Sequence, residues 1–184
     1  MGRTVLRLAA VTVFLILIAC NRPNEATPPA GTAASAPPAV NDQVEKNIAT
    51  FDDLDFNVFS SQKWDELSRS HSKDIIVHWP DGHETRGIEK HIEDLKAMFV
   101  YAPDTRINIH PVKFGSGEWT SVIGEMEGTF TQPMPVAGGK PIPPTGKTFK
   151  LPMCTVGRWE NGVMTEEYLF WDNQTYMSQL GLGK

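Results

Sequence analysis

The sequence predicts an α+β domain in which helices gather on one side of an antiparallel sheet. Three observations predict it. Apolar residues recur at helical spacing through the first part of the chain, as in Ile88, Ile92, Leu95 and Phe99. After Pro103 the pattern changes to the two-residue period of strands. Turn signals then divide that second part into long strands joined as a meander, which is the arrangement of helices and sheet that makes an α+β fold.

The elements follow in order. In "DQVEKNIATFDDLDFNVFSS", Val44, Ile48, Phe51 and Val58 form a helical stripe, and Asp42 with Glu45 three residues on can cap its start. "SQKWDELSR" is a second short helix offering Trp64 and Leu67 to the core. "KDIIVHWPDGHETRG" reads as a strand, a Pro-Asp-Gly turn and a short return strand. "IEKHIEDLKAMFVYAP" is a helix stopped by Pro103. "TRINIHPVKF" and "EWTSVIGEMEGTF" are strands on either side of a Gly-Ser-Gly turn. In the second of them Gly124 and Gly128 mark a bend, a bulge or a close approach. A loop rich in Pro and Gly follows. "TFKLPMCTVGRWE", an Asn-Gly hairpin and "VMTEEYLFWD" complete the sheet. "NQTYMSQLG" is a closing turn of helix. Within the sheet, Cys154 is expected to be a buried strand thiol.

The N-terminus is not part of this domain. "MGRTVLRLAAVTVFLILIAC" has Arg3 and Arg7 ahead of an apolar run too short to span a bilayer comfortably, the pattern of a signal peptide over 1–19. Its ending resembles the lipobox of bacterial lipoproteins, which implies lipidation at Cys20 and a protein anchored by that lipid on the periplasmic or outer side of a bacterial membrane. Cys154 is the only other cysteine, so no disulfide framework is expected. Residues 20–40 are rich in Pro, Ala, Ser and Thr and read as a disordered tether with a reach of about 25 Å. Residues 41–184 form the folded domain. The formal net charge is −5, with no basic run, so nucleic acid is not an expected partner.

Three stretches carry a wider resemblance: "DIIVHWPDG" with "RGIEKHIEDL", then "PPTGKTFKLPMCTVGRWENGVMTEEYLFWD", then the ending "DNQTYMSQLG". Together they make the chain similar to the SnoaL-like polyketide cyclase family, within the nuclear-transport-factor-2-like superfamily, from about Gln43 to Leu182. The resemblance implies a cone: a strongly bent antiparallel sheet around the helices, with an apolar cavity for a small hydrophobic molecule. It also implies acid-base chemistry without metal or organic cofactor, through a carboxylate at the position of Asp172. "GTFTQ" departs from the "GTHTG"-like stretches of many members by placing Phe130 where they carry a histidine, which weakens transfer of any particular reaction. The polyketide reaction itself fits poorly, because a lipobox sends the protein away from the cytoplasm where those substrates are made.

Strand alternation places Met164, Glu166, Tyr168, Phe170 and Asp172 on one face. If that face lines the cavity, desolvation suits Asp172 to general acid-base work. The competing reading makes Asp172 the N-cap of the last helix. His78 is the expected polar partner, and an inward Glu166 beside Tyr168 the next polar group. Glu166 and Glu167 are adjacent and point opposite ways. Trp79, His110, Met126, Phe130, Met153 and Phe170 complete the candidate cavity lining. Glu125 and Glu127 read as an acid-base pair or, more commonly, as a solvated sheet face. His71, His83 and His91 are expected at the surface. His78, His83 and His91 lack the i, i+4 spacing of a metal-binding helix, so no metal is expected.

Two classes of function follow. One is a cofactor-independent cyclase, isomerase or hydrolase acting on a hydrophobic carbonyl compound. The other is a non-catalytic lipoprotein that holds a small ligand, or binds a protein through its outer sheet face; a homodimer is a plausible arrangement of that face by fold analogy.

Overall fold

The computed structural model describes residues 39–183. The expected signal peptide, Cys20 and nearly all of the tether lie outside the described residues. Helix α1 spans Ala39–Asp53, so it starts two residues before the expected domain boundary, and Asp42 sits in its first turn rather than at its cap. The chain continues as a π-helical segment, Leu54–Phe59, and a 3₁₀ helix, Trp64–Arg69. Strands β1 (His71–His78) and β2 (Glu84–Arg86) form the first hairpin, and α2 spans Ile88–Tyr101. The sheet then continues with β3 (Arg106–Ile107), β4 (Val112–Ser116), β5 (Trp119–Thr129), β6 (Thr148–Glu160) and β7 (Val163–Phe170), and α3 (Asn173–Gln179) closes the chain.

The seven strands form one curved sheet in the order β2-β1-β7-β6-β5-β3, with β4 also paired to β5. Most pairings are antiparallel, but β1 runs parallel to β7. The single strand expected over "TRINIHPVKF" is two, because the chain leaves the sheet between Ile107 and Val112. That break turns His110 inward. Gly124 makes room for it: a Cβ there would lie 3.3 Å from His110 Cδ2 and 3.0 Å from Ile107 Cγ2.

One sheet face packs on the helices. Val77, Val122, Met126, Leu151 and Trp159 meet Phe51, Val58, Phe59, Leu95 and Phe99 in one buried core. Burying these side chains contributes roughly 1.5–3 kcal/mol each. The other face carries the alternate residues, including Glu125 and Glu127, which is the solvated-face reading of that pair. Cys154 belongs to this outer face too. It is half-buried, with Sγ 3.6 Å from Ser121 Oγ, and is not the core thiol the sequence suggested.

Candidate functional site

The decisive feature of β7 is a bulge. Arg158 pairs with Glu166 and Trp159 with Met164, so Thr165 has no cross-strand partner. An extra residue reverses the alternation that follows. Met164 is buried, as expected, but beyond Thr165 it is Glu167 and Leu169 that are buried, with Trp171 following in phase. Glu166, Tyr168 and Phe170 face outward.

The candidates that depended on the unbulged phase are therefore corrected. Asp172 is exposed and caps α3, accepting hydrogen bonds from the backbone of Gln174 at 2.9 Å and of Thr175 at 3.1 Å. The Thr175 hydroxyl donates a third at 2.6 Å. These bonds hold its carboxyl below the ordinary carboxylate range. His78 lies on the outer face, 3.0 Å from Glu166 and stacked on Tyr168 at 4.1 Å. The Tyr168 hydroxyl donates to Glu166 at 2.7 Å. Phe170 is 52% exposed on the same face. Met126 and Phe130 are in the core and do not border the cavity; Phe130 packs edge-on against Tyr101. Of the expected lining, Trp79 and Met153 border the cavity, and His110 stands directly behind it.

The cavity lies between α2, the π-helical segment and the inner sheet face. It is mostly apolar, with Leu54, Phe59, Leu95, Met98, Ile107 and Leu169 in its wall. Trp79 and Trp171 flank it, with ring centroids 6.4 Å apart. The concavity measures ≈ 420 Å³ counting its opening to solvent, but its own side chains leave only ≈ 30 Å³ free, about the room of one water. A larger guest requires the tryptophans or the adaptable Met98 to move.

Two polar groups interrupt this wall. The first is a trio. Glu167 on β7 has His71 of β1 and His91 of α2 beside it, with His71 Nε2 at 3.7 Å and His91 Nε2 at 3.4 Å from the same oxygen, Oε2. All three are buried, against the surface positions expected for His71 and His91. Burial opposes ionisation of Glu167, but the two imidazoles outweigh it and hold the carboxyl below the ordinary range. Burial pushes His91 down to about 4, so it is neutral at pH 7. The second group is Asp55, in the π-helical segment, a form often found at functional sites. His110 Nε2 bonds its carboxylate at 2.7 Å, and His110 Nδ1 bonds Asp52 at 2.8 Å. Lys113 closes the chain at the surface by pairing with Asp52. Burial raises the Asp55 carboxyl despite His110, and the charge of Glu167 raises it further. Burial opposes protonation of His110, but Asp55 and Asp52 raise it on balance.

One cavity thus holds two carboxyls that their surroundings push in opposite directions. The ionised form is favoured at Glu167 and the protonated form at Asp55. Such a split separates acid and base roles between chemically similar groups.

The sequence carried signals for the residues it missed. His91 is three residues after Ile88 and four before Leu95, on the apolar face of its helix. Asp55 falls between Phe51 and Val58 in the same way. His71 shares strand parity with Ile75 and Val77. No local signal reveals the bulge at Thr165.

Comparison with known proteins agrees with this architecture. A SnoaL-like polyketide cyclase candidate from Jannaschia sp. CCS1 superposes with a TM-score of 0.67 at 18% identity, covering 82% of this chain and 99% of its own. IdmH, a candidate polyketide cyclase from Streptomyces antibioticus, gives 0.63 at 22% identity, covering 73% and 98%. A protein with a ketosteroid isomerase-like fold from Catenulispora acidiphila, solved with trimethylamine, gives 0.59 at 12% identity, covering 76% and 95%. No curated protein sequence matches the chain. The model of the SnoaL-like polyketide cyclases matches residues 56–180, from the π-helical segment to the end of the last helix, and the chain belongs to that family.

Proposed function

We propose that the protein binds a small, mostly hydrophobic carbonyl compound in this cavity and rearranges it by proton transfer, as a cyclase or isomerase. Asp55, backed by His110, is the acid-base group. Glu167 with its histidines is the polar anchor on the opposing wall. The observation that carries this reading is the pair of buried carboxyls with opposed shifts bordering one apolar cavity. The Asp52–Lys113 end of the chain gives Asp55 a route for protons to the surface. The lipobox-like ending at Cys20 supports anchoring of this activity at the cell envelope.

The test uses a panel of hydrophobic ketones. Binding is read from tryptophan fluorescence, since Trp79 and Trp171 flank the cavity, and chemistry from hydrogen–deuterium exchange next to the carbonyl. The wild type should accelerate exchange. Asp55→Asn should bind equally well and lose roughly 100-fold or more of the rate. Binding without exchange would leave a carrier. Anchoring is checked separately: Cys20→Ser should move the protein from the membrane to the soluble fraction.

A second reading has its own support. Phe114, Phe170 and Trp119 are 62%, 52% and 41% exposed, and the strand register sets them on the outer sheet face with Val112 and Tyr168. An apolar face of this kind suits a protein partner or a homodimer. Sedimentation of the wild type against Phe114→Glu tests that reading.

A further inference from the structure

We propose that His71, His91 and Glu167 bind one divalent first-row transition-metal ion, of the Zn²⁺ or Fe²⁺ class, with an open coordination position facing the cavity. Two imidazole nitrogens and one carboxylate oxygen are a donor set that such ions take. The three residues come from β1, α2 and β7, and their ligand atoms lie within 4.8 Å of one another.

The separations argue for an ion between them. The two His-to-Glu distances, 3.4 and 3.7 Å, are longer than a good hydrogen bond. They are close to the edge of a coordination tetrahedron, which is about 3.3 Å for bonds of about 2.0 Å. Glu167 Oε2 and His71 Nε2 have no hydrogen-bond partner among the described residues, and their side chains are only 5% and 1% exposed. Buried polar atoms are rarely left so, and a buried carboxylate calls for a compensating positive charge.

The tautomer of His71 points the same way. The Ser70 hydroxyl donates to the Leu67 carbonyl at 3.1 Å. Its single proton is thereby used, so His71 Nδ1–H donates to Ser70 Oγ at 2.9 Å. Nε2 is then directed at the Glu167 oxygen, 3.7 Å away, and the contact requires positive charge there, either a proton on the ring or a cation between the two atoms. A bond from the outer ring nitrogen to a neighbouring polar group is how metal-binding histidines are oriented. His91 Nε2, 3.4 Å from the same carboxylate oxygen, can also supply a lone pair. The ≈ 30 Å³ of free space borders these residues and Asp55, room for one exchangeable ligand.

What the ion would do rests on the proposed function: it would polarise the oxygen of the bound carbonyl compound while Asp55 handles the proton. Metal binding itself does not rest on that reading, and the experiment separates the two. The full chain, purified in detergent and stripped with chelator, is titrated with Co²⁺ and followed by the visible absorption of four- or five-coordinate cobalt, with Zn²⁺ as competitor. One equivalent should bind. His71→Ala and Glu167→Gln should each weaken binding by about 100-fold or more, whereas His83→Ala and Asp55→Asn should leave it unchanged. The wild-type midpoint of thermal unfolding should rise with added Zn²⁺, a readout that needs no variant to fold. Absence of binding to the wild type, or binding lost in His83→Ala and kept in His71→Ala, overturns the proposal. If the wild type binds no Co²⁺ and Asp55-dependent exchange persists, the trio is a proton-holding group and only the metal assignment falls.

Discussion

Replacing His110 by alanine tests the buried chain that supports Asp55. The His110 side chain is fully buried and makes hydrogen bonds of 2.7 Å to Asp55 and 2.8 Å to Asp52. The two partners differ. Asp52 is partly exposed and keeps Lys113, so its loss is small, as for other solvated pairs. Asp55 is buried and loses its only side-chain hydrogen bond among the described residues. Removing one member of a buried pair costs about 3–5 kcal/mol, because the remaining charge is uncompensated. For a domain of this size that lowers the unfolding midpoint by about 10 °C. The pH dependence has a definite sign. Asp55 is raised in the fold, so without His110 the folded state keeps a proton that the unfolded state releases, and stability falls as pH rises above the ordinary carboxylate range of 3.8. His110 is also raised, so in the wild type its contribution is complete below its unfolded value of 6.5 and is lost as pH rises through the folded value. Urea unfolding of His110→Ala should therefore already fall short of the wild type at pH 5, where the His110 contribution is complete, and the variant should lose further stability toward neutrality as the stranded Asp55 is forced to ionise. Adding Asp55→Leu should recover part of the loss, because the stranded carboxylate goes with it. A cost below about 1 kcal/mol, or additive losses in the double variant, would refute a coupled buried pair.

Two further outcomes follow from the corrected positions. Asp172→Ala should lower the unfolding midpoint slightly and Asp172→Asn hardly at all, since asparagine also caps, and neither should change ketone exchange or Co²⁺ binding. Trp171→Ala should increase uptake of hydrophobic probes several-fold by clearing the flank of the cavity; unchanged uptake would mean that guests do not enter past the Trp79–Trp171 pair.

Most of the fold was legible because it depends on local patterns. The α2 stripe, the Pro-Asp-Gly and Asn-Gly turns and the alternation of β5 and β6 each speak for one element, and each element is where they indicate. The site was less legible because it depends on pairing. His71 and His91 had the right parity and helical phase to be buried, but a histidine weighs little beside isoleucine in an apolar stripe. Thr165 is harder. An unpaired residue is defined by the strand opposite, and nothing within "VMTEEYLFWD" distinguishes a bulged from an unbulged strand. The consequence is confined to one choice. Because Glu166 and Glu167 are adjacent, either phase presents a carboxylate to each face of the sheet, and in the fold each meets histidine: Glu166 meets His78 outside, and Glu167 meets His71 and His91 inside. What the bulge changes is the company of the inner one. With Thr165 regular, the inward face would carry Glu166 and Tyr168, a hydrogen-bonded pair already satisfied by its own hydroxyl. With Thr165 bulged it carries Glu167, whose oxygen has two imidazoles near it and no hydrogen bond, and that unsatisfied state is what makes it available to a ligand.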